Sequence, residues 1–254
     1  MLLAHELVGR SDAPALVLIH GITDSRHVWH PLLHPLVASH QVLTVDLRGH
    51  GESDICDPYD PLSYAGDVVE TAAALGLTNP LVVGHSLGGI VASAYAASAP
   101  CRAVVNIDQP LRLSGFKQGL AQLEPMLKGD DESFQQALDL LFGTLEGPLP
   151  VAEQQRLRRQ RHAERDVVLG TWAAVFDSTE DELDAMATQL AGAITVPYLS
   201  LHGTDPGADY APWLQALVPT ATVEVWPETG HYPHLVDPVR FLARLAEFEA
   251  QAGG

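Results

Sequence analysis

Cysteine is scarce: Cys56 and Cys101 are the two in 254 residues, and neither sits in a CxxC pair or a metal-ligand spacing. A chain of this length can bury an ample core without cross-links or a structural metal. Its thiols are therefore expected to be reduced, as in a cytoplasm. Basic residues are also few, with 14 Lys plus Arg against 32 Asp plus Glu and a formal net charge of -18. Such a charge repels phosphate backbones and anionic lipid, which argues against nucleic acid or a membrane as partner. It otherwise speaks of solubility, not of a site. No apolar run is long enough to span a bilayer. Met1, Leu2 and Leu3 run straight into His5, Glu6 and Arg10, without the apolar stretch of a signal peptide. A cytoplasmic protein is expected, and its oligomeric state is left open.

What is present is an alternation of short apolar runs with longer amphipathic stretches, the pattern of a mostly parallel sheet with crossover helices. The fold class is α/β. Strands are predicted at Ala15 to His20, Gln41 to Asp46, Pro80 to His85, Ala103 to Asp108, Val196 to His202 and Thr222 to Trp226, with a short antiparallel edge strand within Met1 to Gly9. Between Pro110 and Thr195 no strand-like run occurs, and that interval is too long for a plain crossover. Helical faces are predicted there on Phe134, Leu138, Leu141 and Phe142, then on Val168, Trp172, Val175 and Phe176, then on Leu183, Met186, Ala187 and Leu190. Gly143 to Pro150 is turn chemistry between two of these helices. The expected organisation is a core of residues 1-109 and 196-254 carrying a helical cap of residues 110-195.

The most specific local signal is Gly84-His85-Ser86-Leu87-Gly88-Gly89, which follows the apolar Leu81-Val82-Val83 and opens an Ala-rich helical stretch. A serine on a sharp turn between strand and helix needs neighbours without a Cβ, which Gly84 and Gly88 supply. The turn places the hydroxyl at a helix N-terminus, where free N–H groups such as that of Leu87 can stabilise a developing oxyanion. A serine hydroxyl is a poor nucleophile, so a base and a group that orients the base are both required.

These residues resemble the α/β-hydrolase superfamily over nearly the whole chain. His20-Gly21-Ile22 is similar to its His-Gly oxyanion loop, and Asp46-Leu47-Arg48-Gly49-His50-Gly51-Glu52-Ser53 to its next turn. The resemblance implies Ile22 as the second oxyanion donor, whereas His20, Asp46, Arg48 and His50 are read as groups that hold backbone turns. His231, in Glu228-Thr229-Gly230-His231, stands where such enzymes place their base, with His234 nearby as the alternative. The chain order serine, acid, histidine points to Asp205 in Gly203-Thr204-Asp205. That aspartate lies one residue nearer the glycine than the superfamily's Gly-x-x-Asp, so Asp209 and Asp108 remain alternatives.

The implied activity is cofactor-free hydrolysis of a small-molecule carboxylic ester, lactone or thioester through an acyl-enzyme. Carbon–carbon bond hydrolases and perhydrolases carry similar residues, and a non-catalytic small-molecule receptor is the alternative from another class. His27, His30 and His34 share helical spacing, but Pro31 and Pro35 interrupt it and no metal site is expected. Arg156, Arg158, Arg159, Arg161 and Arg165 are read as a solvated, ion-paired face, the alternative being steering of an anionic substrate. Trp172 and Phe176 are expected in the packing of the cap.

Overall fold

The structure, a computed structural model, describes residues 1–162 and 164–253. Its strands are β1 (His5–Val8), β2 (Ala15–Ile19), β3 (Gln41–Val45), β4 (Leu81–His85), β5 (Ala103–Ile107), β6 (Tyr198–His202) and β7 (Ala221–Val225). They form one sheet in the order β1-β3-β2-β4-β5-β6-β7. Only the β1–β3 pair is antiparallel, and every other neighbouring pair runs parallel. Each run predicted from the sequence falls on a strand to within two residues. The reason is composition: β2, β4, β5 and β6 are buried along their whole length, and near-continuous apolar sequence suits a strand covered on both faces.

Helices α1 (His30–Leu36), α2 (Pro61–Ala74) and α3 (Leu87–Ser98) serve the first half of the sheet. Asp60 caps α2 by accepting from the Leu62 and Ser63 N–H groups, each at 3.0 Å, satisfying two of its free donors. Pro31 falls in the first turn of α1, where its missing N–H costs nothing, so it opens that helix rather than interrupting it. Two apolar clusters lie on the two faces of the sheet, one under α2 and α3 and the other under α1 and the C-terminal helix.

Between β5 and β6 the chain is helical: α4 (Ser114–Ala121), α5 (Glu124–Leu127), α6 (Asp131–Leu145), α7 (Val151–Gln160), α8 (Arg165–Thr171), α9 (Ala173–Asp177) and α10 (Glu180–Gly192). Three expectations need correction here. Gly143 lies inside α6, and the turn begins only at Glu146 and Gly147, the latter at φ 47°. Val168 and Phe176 are not on one helix, because Trp172 ends α8 and starts α9. Met186 is exposed, since the inward stripe of α10 is Leu183, Ala187 and Ala191 at i, i+4 spacing. Helices α11 (Tyr210–Leu217), α12 (Pro233–Val236) and α13 (Pro238–Ala252) complete the chain. Among the described residues no helix is long and apolar enough to cross a membrane.

Candidate active site

Ser86 sits between β4 and α3 with φ 53° and ψ -125°. A non-glycine residue at positive φ costs of order 1 to 3 kcal/mol, and here the surroundings enforce it. The Ser86 N–H donates to the Ile107 carbonyl at 3.0 Å, and Gly89 N–H donates back to the Ser86 carbonyl at 2.7 Å. The flanking chain passes so close that a Cβ on Gly84 would lie 1.8 Å from the Gly88 carbonyl oxygen, and one on Gly88 would lie 2.3 Å from that of Ile19. No residue but glycine fits either place. Three further non-glycine residues with positive φ surround the same region: Thr23, Asp108 and Glu228, at 64°, 50° and 65°.

His231 follows the turn at Glu228, and its Nδ1–H donates to Asp108 Oδ2 at 2.7 Å. Asp108 ends β5, and its second oxygen accepts from the Gly203 and Thr204 N–H groups at 2.8 and 3.1 Å. Burial pushes the Asp108 carboxyl up, but the hydrogen bond and charge of His231 and these two N–H groups outweigh it, and the group lies below its ordinary value. This carboxylate stays ionised beside the imidazole it orients.

The expected acid, Asp205, is therefore corrected. It is exposed, and its Oδ1 accepts from the Gly207 N–H two residues on, at 2.8 Å. Asp209 is exposed at the start of α11 and makes no side-chain cap. The loop after β6 does hold His231 in place, but through two backbone N–H groups bonded to Asp108 and not through a carboxylate of its own. His234, the alternative base, is fully buried under Trp29 and Phe241, and burial drives it down to about 3.

Ser86, His231, Asp108, Ile22 and Leu87 all line one cavity of about 800 Å³. Among the described residues, the N–H groups of Ile22 and Leu87 donate to no protein acceptor, and Ser86 Oγ has no hydrogen-bond partner. Hydrogen bonds of this kind commonly tighten only when substrate is held. An imidazole fixed by a carboxylate, a hydroxyl at a helix N-terminus and two free N–H groups together make proton removal, nucleophilic attack and oxyanion binding possible at one place.

Residues read as structural behave so. His20 Nδ1–H donates to the Gly21 carbonyl at 2.7 Å while Nε2 accepts from Leu47 N–H at 3.0 Å. Asp46 accepts from the N–H groups of Arg26 and Glu52 at 2.6 and 3.0 Å, and Arg48 Nε donates to Asp67 at 2.6 Å. His50 Nδ1–H donates to the Arg48 carbonyl at 3.0 Å.

Two contributors escaped the sequence reading. His85 is buried and donates from Nε2 to the His231 carbonyl at 2.8 Å, anchoring that loop. Burial, then the neighbouring His231 and His234, push His85 well below the usual histidine range, so it is a neutral donor. Its place between Gly84 and Ser86, the first variable position of Gly-x-Ser-x-Gly, was the available signal. Asp24, two residues after Ile22, is buried, and burial raises its carboxyl to about 6 against the opposing pull of Arg161, His231 and Arg156. Nothing in the local pattern marked it. Four of the arginines of α7 and its flanks are ion-paired: Arg156 with Glu153 at 2.8 Å, Arg158 and Arg161 with Glu146 at 2.5 and 3.5 Å, and Arg165 with Asp131 at 3.1 Å. None of them lines the cavity.

Against known proteins, the model of the alpha/beta hydrolase family matches residues 16–245. A 2-succinyl-6-hydroxy-2,4-cyclohexadiene-1-carboxylate synthase from Photorhabdus laumondii is 25% identical, with 97% of this chain and 89% of that protein covered. The sn-1-specific diacylglycerol lipase ABHD11 of Danio rerio is 26% identical over 94% of this chain and 80% of its own length. Among solved structures, a hydrolase from Pseudomonas aeruginosa PA01 superposes with a TM-score of 0.77 at 26% identity, covering 97% of this chain and 93% of that one.

Proposed function

This chain belongs to the alpha/beta hydrolase family, and from that premise we propose that it is a serine hydrolase acting on carboxylic esters, lactones included. The observation that carries this reading is the 2.7 Å hydrogen bond between His231 and Asp108, made at the wall of the cavity that Ser86 also lines.

In the proposed reaction His231 Nε2 removes the proton from Ser86 Oγ as the oxygen attacks the ester carbonyl. Asp108 holds the imidazole in the Nδ1–H tautomer and stabilises the imidazolium that forms. The tetrahedral oxyanion is bound by the N–H groups of Ile22 and Leu87. Collapse breaks the bond to the alcohol oxygen, which leaves with the proton from His231. Water then attacks the acyl-Ser86 ester by the same sequence and releases the acid. Acyl transfer of this kind is carried by protein groups alone, so no cofactor enters.

Diacylglycerol lipase, named for the Danio rerio relative, is likewise ester chemistry. The test is hydrolysis of p-nitrophenyl butanoate by the wild type beside Ser86→Ala. A fall in kcat of about 10³-fold or more is expected, and equal rates in the two proteins would remove Ser86 from the reaction.

A further inference from the structure

Acyl transfer at Ser86 leaves open what the rest of the cavity holds, and its walls limit the answer. Toward α4, α6 and α9 the lining is apolar and bulky, with Phe116, Leu141, Phe142, Trp172 and Val175 facing the space beyond Ile90. Trp172 is fixed in edge-on contact with Phe116, the ring centres 5.7 Å apart. Most of the polar side chains in this wall are already engaged within the protein. Gln118 Nε2 donates to Glu180 at 3.0 Å, Gln109 Nε2 to the Pro110 carbonyl at 2.9 Å, and Thr171 Oγ1 both donates to the Val167 carbonyl and accepts from Tyr64, each at 2.7 Å.

Charge narrows the class further. Among the described residues Arg112 is the one Lys or Arg that lines the cavity. Its Nε donates to Asp184 Oδ1 at 3.2 Å and its Nη2 to Asp184 Oδ2, a two-point pair that occupies one edge of the guanidinium and offsets its charge. Its guanidinium also lies over the Trp213 ring, 5.7 Å from the centre. The remaining charged groups on the lining, Asp205 and Asp209 beside Asp108, are carboxylates. A second carboxylate brought in by a substrate would lose water and meet, among the described lining residues, no Lys or Arg without a carboxylate partner.

Resting on the reading of Ser86 as nucleophile, we propose that the cavity selects neutral esters carrying a bulky apolar group and rejects those whose distal end is a carboxylate. Shape and apolar area do the selecting, because the free hydrogen-bond donors of Ile22 and Leu87 are confined to the reacting end.

The experiment measures kcat/KM for p-nitrophenyl acetate, hexanoate and hydrogen glutarate, and for methyl and hexyl acetate. At least a tenfold rise with chain length is expected in one of the two neutral series. The hydrogen glutarate ester should be about 100-fold poorer than the hexanoate. Asp184→Asn, which releases Arg112, should raise the hydrogen glutarate rate about tenfold and leave the hexanoate rate within twofold. Two flat neutral series, or hydrogen glutarate within threefold of hexanoate in the wild type, would overturn the proposal, as would an Asp184→Asn variant with an unchanged preference. Diethyl p-nitrophenyl phosphate, a neutral reagent that phosphorylates activated serines with loss of p-nitrophenol, separates this failure from that of the catalytic reading. Ser86 labelled in a protein without the predicted preference condemns the substrate class alone. Ser86 unlabelled, with no ester turned over, condemns both.

Discussion

His231 takes its carboxylate partner from the end of β5, with Nδ1 lying 2.7 Å from Asp108 Oδ2 across 123 residues of chain. The same carboxylate accepts the N–H groups of Gly203 and Thr204, so one side chain fixes both the imidazole and the loop after β6. Asp108→Asn keeps the size of the group but favours the wrong imidazole tautomer, and a loss of about 10⁴-fold in kcat is expected. Asp205→Asn should stay within threefold of wild type, since an amide oxygen can still accept from Gly207 N–H. Steady-state kinetics on one ester decides between them, and the reverse ranking would return the role to Asp205.

Steric demand at the serine turn can be tested without reference to activity. The Gly84→Ala methyl would lie 1.8 Å from a backbone oxygen, an overlap no side-chain movement relieves, and a loss above about 3 kcal/mol is expected. Gly66→Ala is the control, because it lies within α2 with nothing inside 4 Å of the added atom. It should stabilise by up to about 1 kcal/mol. Urea denaturation gives both values, and equal effects would show that the turn can relax.

Asp24 links burial to pH. Its carboxyl ionises near the ordinary aspartate value of 3.8 in the unfolded chain and at about 6 in the fold, so the folded state holds the proton more tightly. The stability this gives is fully present below pH 3.8 and lost as pH rises through 6. Asp24→Asn cannot ionise, so its advantage over wild type should be near zero at pH 3.5 and grow to about 3 kcal/mol, as an order of magnitude, at pH 8. An advantage independent of pH in denaturation curves would mean that Asp24 is not held as described.

Arg156, Arg158, Arg161 and Arg165 are bound to Glu153, Glu146 and Asp131, and neither they nor the exposed Arg159 line the cavity. Replacing Arg158 and Arg159 by alanine together should therefore change kcat/KM for neutral and anionic esters by the same factor, within about twofold, as expected of screened surface pairs. A selective loss on the anionic ester would restore the steering alternative.

The sheet was legible because β2, β4 and β5 are short, mostly apolar runs, rich in β-branched residues, that suit strands covered on both faces. The serine turn was legible because Gly84 and Gly88 have a steric meaning at that spacing, and His231 because it follows the last strand. The orienting carboxylate was legible only as one of three, with Asp205 preferred and Asp209 and Asp108 as alternatives. Which strand end delivers an aspartate to a histidine far along the chain depends on the path of the loop after β6, and Pro206 and Gly207 shape that path without revealing it. Asp24 and the pairing of Arg112 with Asp184 escaped for a similar reason. Burial and partnership across 72 residues are properties of packing, not of local pattern. The inward stripe of α10 was displaced because Met186 is as apolar as its neighbours and differs from them only in its direction.

The most direct test of the account traps the acyl-enzyme: the protein is mixed with p-nitrophenyl butanoate, quenched in acid within the first turnover, digested and mapped by mass spectrometry. The expected result is a butanoyl group on Ser86, absent from Ser86→Ala. A butanoyl group on another residue, or steady turnover by Ser86→Ala at the wild-type rate, would contradict it.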